Sequence, residues 1–273
     1  MTIDIGRFGI WQRTAQTTPE MAQEAEGLGF GALWVGGSPP GDLADIERLL
    51  DATETIPVAT GIVNVWRDDA ETVAASYHRI AQRHPGRFLL GVGIGHPEAT
   101  SEYRKPLETV ITYLDVLDAA GVPAEHVVVA ALGPKALRIS GKRSAGTHPY
   151  LTTPRHTAMA REVLGVGPLL APEQTVVVGL DEDEANRIAR EFVARYLRLV
   201  NYRNNLLREG WDESDLADGG SDRLLAELVL IGSAEEVAEG IRAHIDAGAD
   251  HVCIQDLGPD PAPAFRSLAA ELL

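Results

Sequence analysis

Apolar residues in this chain fall into short continuous runs, and between the runs they recur every three or four positions. Short runs bounded by turn residues read as buried strands; the three-to-four spacing reads as amphipathic helix. On that rule strands are expected at 7–11, 32–35, 57–65, 88–94, 126–132, 147–151, 174–180 and 251–257. Helices are expected at 19–28, 42–54, 69–83, within 102–120, and at 134–144, 154–164, 181–199, 221–231, 233–247 and 261–273. Local chemistry supports several ends. Thr17 or Thr18 precedes Pro19 at a first helical position, Gly29 follows Leu28, and Ser233-Ala-Glu-Glu236 has the form of a capping box. Only residues 201–220 break the period, and they read as an excursion.

Strands that each alternate with a helix make a parallel sheet. Eight such units in a chain of this length predict a (β/α)8 TIM barrel with insertions, residues 1–273 forming a single domain. The main rival is an open doubly wound sheet with a dinucleotide site. No G-x-G-x-x-G opens a helix near the N-terminus, and Gly91-Val-Gly-Ile-Gly95 has a different spacing.

The run Phe88-Leu-Leu-Gly-Val-Gly-Ile-Gly-His96 is the most informative stretch. Glycines weaken a strand unless something must come close to its backbone. Gly91, Gly93 and Gly95 therefore read as a core strand cleared at its C-terminal end for a ligand, with the titratable His96 at the rim; a tight turn with a solvated histidine is the plain alternative. In a barrel the active site lies at the C-terminal strand ends. Those ends carry Trp11 and Gln12, Gly36 to Ser38, Gly61 to Trp66, Gly93 to His96, Ala131 to Pro134, and His148 to Thr153. Small and apolar rims with few polar groups suit a flat ring system. Gly133-Pro134 at a helix start could offer N–H groups to a phosphate, helped by Lys135 or Arg138, or could be a plain cap. Trp11 and Trp66 could equally be packing aromatics, and Tyr202 and Asn204 could cap a helix in a surface excursion.

Composition narrows the chemistry. With 24 basic and 40 acidic residues the net charge is −16, so nucleic acid and anionic membrane surfaces should be repelled. No run of apolar residues is long enough to span a bilayer, and the N-terminus lacks the pattern of a signal peptide. The one cysteine, Cys253, excludes an intrachain disulfide and suggests a reducing cytoplasm. Scattered histidines without ligand spacing argue against a metal site, and no G-x-S-x-G supports a serine nucleophile.

Three segments, Thr60-Gly-Ile-Val-Asn-Val-Trp66, Phe88-Leu-Leu-Gly-Val-Gly-Ile-Gly95 and the last unit from Gly232-Ser-Ala-Glu-Glu236 to Ala-Gly-Ala-Asp250, resemble the bacterial luciferase-like flavin and deazaflavin oxidoreductases. Ala130-Ala-Leu-Gly-Pro134 and Asn201-Tyr-Arg-Asn-Asn-Leu-Leu207 look like its actinobacterial branch, which depends on coenzyme F420. The resemblance covers nearly the whole chain. It implies a homodimer, and a deazaflavin at the barrel mouth backed by a bulge with a non-prolyl cis peptide, matching Gly61-Ile62. It implies cofactor contacts at Gly61, Ile62, Asn64, Gly93, Ile94, Gly95, Leu132 and Gly133, with Trp11, Ser38 and Tyr202 on the substrate side. His96 is the candidate proton donor, because a histidine titrates near neutral pH. The sugar-phosphate dehydrogenases of the family carry a histidine and a tryptophan after the second strand; here that place holds Gly36-Gly-Ser38, so their catalytic set does not transfer. The expected activity is F420-dependent hydride transfer to or from a small organic substrate. The alternatives are an FMN-dependent monooxygenase and a non-catalytic cofactor-binding protein.

Overall fold

The computed structural model describes residues 3–95 and 105–273. Alternation begins with β1 (Phe8–Arg13), α1 (Pro19–Leu28), β2 (Leu33–Gly36) and α2 (Ala44–Ala52). It continues with β3 (Val58–Gly61), β4 (Val63–Asn64), α3 (Ala70–Arg83), β5 (Phe88–Gly93) and α4 (Pro106–Ala119). Next come β6 (Val127–Val129), α5 (Pro134–Arg143), β7 (Gly146–Thr147), α6 (Pro154–Leu164), β8 (Leu169–Leu170) and β9 (Glu173–Val178). The chain closes with α7 (Glu182–Tyr196), α8 (Val200–Glu209), α9 (Asp222–Leu228), β10 (Val229–Gly232), α10 (Ala234–Asp246), β11 (Val252–Asp256) and α11 (Ala262–Leu272). Thr18 and Asp69 cap α1 and α3 through their side chains, Gly29 ends α1 in the left-handed region, and Ser233 and Glu236 form the capping box of α10.

Every strand pairing is parallel, in the order β10-β9-β11-β1-β2-β3-β5-β6-β7-β8, with β4 also on β5. The run from Leu169 to Val178 closes the sheet. On one edge the N–H groups of Leu169, Ala171 and Glu173 donate to Ala145, Thr147 and Pro149; on the other Leu170 and Pro172 accept from Asp250 and Cys253. The result is an eight-position barrel, as the alternation predicts, with β10 as an extra strand on β9. Strands here are buried on both faces, hence their continuous apolar runs. Successive side chains divide between the two: Leu33 and Val35 pack outward with Val58, Phe88, Leu90 and Val127 against the helices, whereas Ala32 and Trp34 point inward with Trp11, Ala59, Leu89, Val128 and Cys253.

Four expectations are corrected. The single strand expected at 57–65 is two. Ala59 pairs with Leu89 and Val63 with Val92, so Thr60, Gly61 and Ile62 stand opposite only Leu90 and Gly91. This is a bulge, and its Gly61–Ile62 peptide is cis, at the place the resemblance implies. Thr60 fills the gap: its Oγ1 accepts from Gly91 N–H and donates to Gly91 C=O, both at 2.8 Å. The sixth strand is only β7, with His148 N–H and Pro149 C=O making its last barrel bonds, to Val129 and Glu173. The helix expected at 221–231 stops at Leu228, and the apolar Val229-Leu-Ile-Gly232 pairs with Thr175 to Val178 instead. The excursion contains a regular helix, α8, whose inner face is Tyr202, Asn205, Leu206 and Glu209. Their spacing is helical, but mostly polar residues occupy the buried stripe, so hydrophobic periodicity does not reveal it.

Candidate active site

A cavity of about 470 Å³ opens at the C-terminal ends of the strands, a size that suits a cofactor or small ligand. Its floor is the bulge, Gly61 and Ile62 with Asn64. One wall comes from Trp11, Arg13 and the turn Gly37–Ser38, another from Ile94, Gly95 and the segment 130–133, and a third from Tyr196 with Asn201, Tyr202, Asn204 and Arg208 of α8.

Trp11 and Arg13 are two apart on β1, so both face inward. The Trp11 indole lies flat across Gly36: a Cβ there would sit 1.8 Å from Trp11 Cζ2, so only glycine allows the ring its place. Thr14 Oγ1 donates to Gly36 C=O and ties the two strand ends together. Trp11 also packs against Tyr150 at 5.1 Å, which meets Tyr196 at 5.4 Å, and Tyr196 meets Tyr202 at 5.3 Å. Tyr150 donates to Gln255 Oε1 at 2.7 Å, so its contact with Tyr196 at 3.1 Å is accepted from that hydroxyl. The Tyr196 oxygen in turn accepts from Arg13 Nη2 at 3.5 Å.

At the other end of the cavity α5 begins. Gly133 is its N-cap, Pro134 its first residue, and no side chain among the described residues caps it. Its first free N–H groups and the positive end of its dipole therefore face outward unneutralised. Arg208 stands there, its Nη2 3.5 Å from where a Cβ on Gly133 would lie, anchored by a bond to Asn205 Oδ1 at 3.0 Å. Lys135 and Arg138, the helpers named from sequence, are exposed and do not line the cavity.

Buried titratable groups surround the site. Burial pushes Glu173 and Glu209 each up to about 7 and Asp256 to about 6. Burial likewise holds His148 and His156 down at about 4. His148 Nδ1 donates to Ala171 C=O at 2.8 Å, fixing the neutral tautomer, and its ring stacks on Trp34 at 4.3 Å. No group of three His, Cys, Asp or Glu side chains among the described residues could hold a metal ion. None of their helices is long and apolar enough to cross a membrane.

Of the residues singled out from sequence, Trp11, Ser38, Gly61, Ile62, Asn64, Ile94, Gly95, Leu132, Gly133 and Tyr202 line this one cavity. Gly93 does not: it is buried beneath Ile62, with a Cβ there 3.0 Å from Ile62 Cγ1, so its missing side chain makes room for the bulge. Gly91 likewise faces Thr60 C=O. The glycine run thus clears space chiefly for the protein's own chain. His96 lies outside the described residues. Trp66 packs on the core, in line with its plain reading. Arg13, Tyr196 and Arg208 line the cavity and were not found from sequence; Arg208 carried a signal only in being a cation seven residues after Asn201.

Solved structures share this architecture. An F420-dependent secondary alcohol dehydrogenase in complex with an F420-acetone adduct matches with a TM-score of 0.77 at 18% identity, over 99% of this chain and 98% of that one. A coenzyme F420-dependent tetrahydromethanopterin reductase from Methanopyrus kandleri matches with a TM-score of 0.72 at 15% identity, over 100% and 99%. The oxygenating constituent of 3,6-diketocamphane monooxygenase from Pseudomonas putida, a type II Baeyer–Villiger monooxygenase in complex with FMN, matches with a TM-score of 0.70 at 17% identity, over 97% and 96%. No curated protein sequence matches the chain. The family model described as luciferase-like monooxygenase matches residues 6–120 and 103–251. That span takes in the bulge, the cavity walls and the start of α5, and the chain accordingly belongs to the luciferase-like family.

Proposed function

We propose that this protein is an oxidoreductase that moves a hydride between coenzyme F420 and a small organic substrate. The observation that carries the reading is one cavity with a bulged, apolar floor at Gly61–Ile62 and, at its far end, an uncapped helix N-terminus beside Arg208. A flat ring fits the first and a phosphate the second. When bound, the deazaflavin supplies the carbon that gives or takes the hydride.

The chain's own residues would do the rest. Gly61 and Ile62 back the ring, with Asn64, Ile94 and Gly95 along its edge and Leu132 and Gly133 toward the phosphate. Lys135 and Ala136 N–H groups and Arg208 hold the phosphate. Trp11, Ser38 and Tyr202 border the substrate. His96 follows Gly95 in the chain, and we assign it the proton that accompanies the hydride. His96→Ala should lower turnover by at least about 100-fold, within the usual range of general acid catalysis, with cofactor affinity unchanged; undiminished turnover removes His96 from the mechanism.

The FMN-bound relative supports a second reading, in which the same ring and phosphate sites take FMN for a monooxygenase reaction. Titration of the protein with F420 and with FMN, followed by tryptophan fluorescence, separates the two. Micromolar binding of F420 alone is the expected result. Preference for FMN moves the assignment to the monooxygenase, and binding of F420 without turnover of any substrate leaves a cofactor-binding protein. The family resemblance also leads us to expect a homodimer.

A further inference from the structure

We infer that the substrate of this cavity is a small organic anion, a carboxylate on a flat apolar body, held by Arg13. The argument begins with charge. The chain has sixteen more acidic than basic residues, and among the described residues every half-buried arginine except Arg13 and Arg87 has a carboxylate partner, Arg87 bonding instead to backbone carbonyls and Thr53. Arg48, Arg67, Arg79, Arg83, Arg143 and Arg161, among others, each have a carboxylate partner. Arg13 has none among the described residues, although it is half-buried.

Among the described residues, the one bond of its side chain is the 3.5 Å contact to Tyr196 Oη. That oxygen is a weak anchor for a guanidinium, and the other N–H groups of Arg13 have no acceptor in the described chain. They belong to a side chain that lines the cavity. A planar, five-donor fork is the group best matched to a carboxylate, which it binds through two parallel hydrogen bonds.

The surroundings fix the rest of the ligand. Beside Arg13 the wall is aromatic: Trp11, Tyr150, Tyr196 and Tyr202 form a row of tilted and T-shaped contacts with ring centres 5.1 to 5.4 Å apart. The hydroxyls of Tyr150 and Tyr196 are committed to Gln255 and to each other, so the wall offers ring faces and edges more than free polar groups. Such a wall suits a flat apolar body. The second cavity arginine, Arg208, lies beside Gly133 and bonds to Asn205, whereas Arg13 bonds to Tyr196, so the two cations have different neighbours and can hold two different anions.

Calling this anion the substrate rests on the oxidoreductase reading; the preference for an anion rests on Arg13 alone. Benzoate and its neutral counterpart benzamide are the probes, titrated into the protein with and without F420 and followed by tryptophan fluorescence. Benzoate should bind at least about tenfold more tightly than benzamide, as a charge-assisted bidentate pair exceeds a neutral one. Arg13→Gln should abolish the difference, and Arg13→Lys should restore part of it. Inorganic phosphate, added as competitor, should leave the benzoate site largely occupied, because it is drawn to Arg208 and α5.

Equal binding of the two probes, no binding of either, or a ratio unchanged in Arg13→Gln overturns the inference. So does a loss of F420 affinity in Arg13→Gln with the benzoate preference intact, which would make Arg13 a cofactor residue. A protein that prefers benzoate through Arg13 yet binds neither F420 nor FMN would sink the oxidoreductase reading and leave this one standing.

Discussion

Trp11 owes its place to a residue on another strand. Its indole crosses Gly36 where a Cβ would lie at 1.8 Å, so Gly36→Ala must displace the ring or the backbone. Overpacking of this kind costs about 1–3 kcal/mol, and the larger effect should be on the cavity: cofactor affinity should fall at least about tenfold, as measured by fluorescence titration. Arg208→Ala tests the phosphate end. Loss of a charge-assisted bond worth about 1.5–3 kcal/mol should raise the cofactor Kd by roughly 10–100-fold with little change in the unfolding midpoint. Glu173 gives a pH test. It is 1% exposed, accepting from Leu151 N–H and Thr175 Oγ1, with burial raising its pKa to about 7. The native state therefore keeps a proton that the unfolded chain releases above its ordinary value of 4.5. Stability is unpenalised below that value and is lost as pH rises through about 7. Glu173→Gln can keep one acceptor for Leu151 while its amide donates to Thr175. It should stabilise the protein at pH 8, by at most about 3 kcal/mol, and do little at pH 4.5; comparison of denaturant midpoints at the two pH values checks this. Most cavity residues were legible from sequence because strand ends and glycines mark them. Arg13 was not, although it follows Trp11 on the same strand face, because the apolar run that marks the first strand stops at Trp11, two residues before the strand does.

Among the elements, the bulge is the one on which the cavity floor depends. Thr60 Oγ1 satisfies both the N–H and the C=O of Gly91. Thr60→Val keeps the shape and removes both bonds, leaving two buried backbone groups unpaired at about 1–3 kcal/mol each. The unfolding free energy should drop by about 3 kcal/mol, measured in urea, and F420 binding should weaken with it. A drop below about 0.5 kcal/mol would mean that the ladder on either side holds the bulge unaided. Helix α8 shows why one element escaped the sequence. Asn205 donates to Glu209, and Thr153 donates to the same carboxylate. A polar network, rather than an apolar stripe, thus fastens the helix to the barrel. β10 was hidden for the opposite reason: Val229, Leu230 and Ile231 extend the apolar character of α9, and only pairing with β9 reveals a strand.

For the whole molecule, alternation of strand and helix was sufficient to specify a barrel, because each βα unit buries its strand on both faces and signals itself strongly. Net charge sets a further expectation. At −16 the molecule repels an anionic cofactor at long range, while Arg208 and α5 attract it only at short range. Salt screens the first within about 10 Å at 0.1 M. Association of F420 should therefore speed up, by about two- to threefold between 10 and 150 mM salt, whereas dissociation should speed up as the local contacts weaken. Stopped-flow fluorescence would resolve both rates, and a falling association rate would show that the positive end of the cavity governs the approach.

Helix α8 has one further consequence. Asn205, Leu206 and Glu209 hold it to the molecule, while Asn201, Asn204 and Arg208 look into the cavity from a neighbouring face. It lies in the stretch between α7 and α9, apart from the strand-forming units. A laboratory wishing to change what this protein accepts could therefore exchange one ten-residue cassette, keeping the anchoring positions together with Tyr202 and the phosphate-side Arg208, and randomising Asn201 and Asn204. The barrel would not need rebuilding, and divergence of ligand preference among close relatives could follow the same short route.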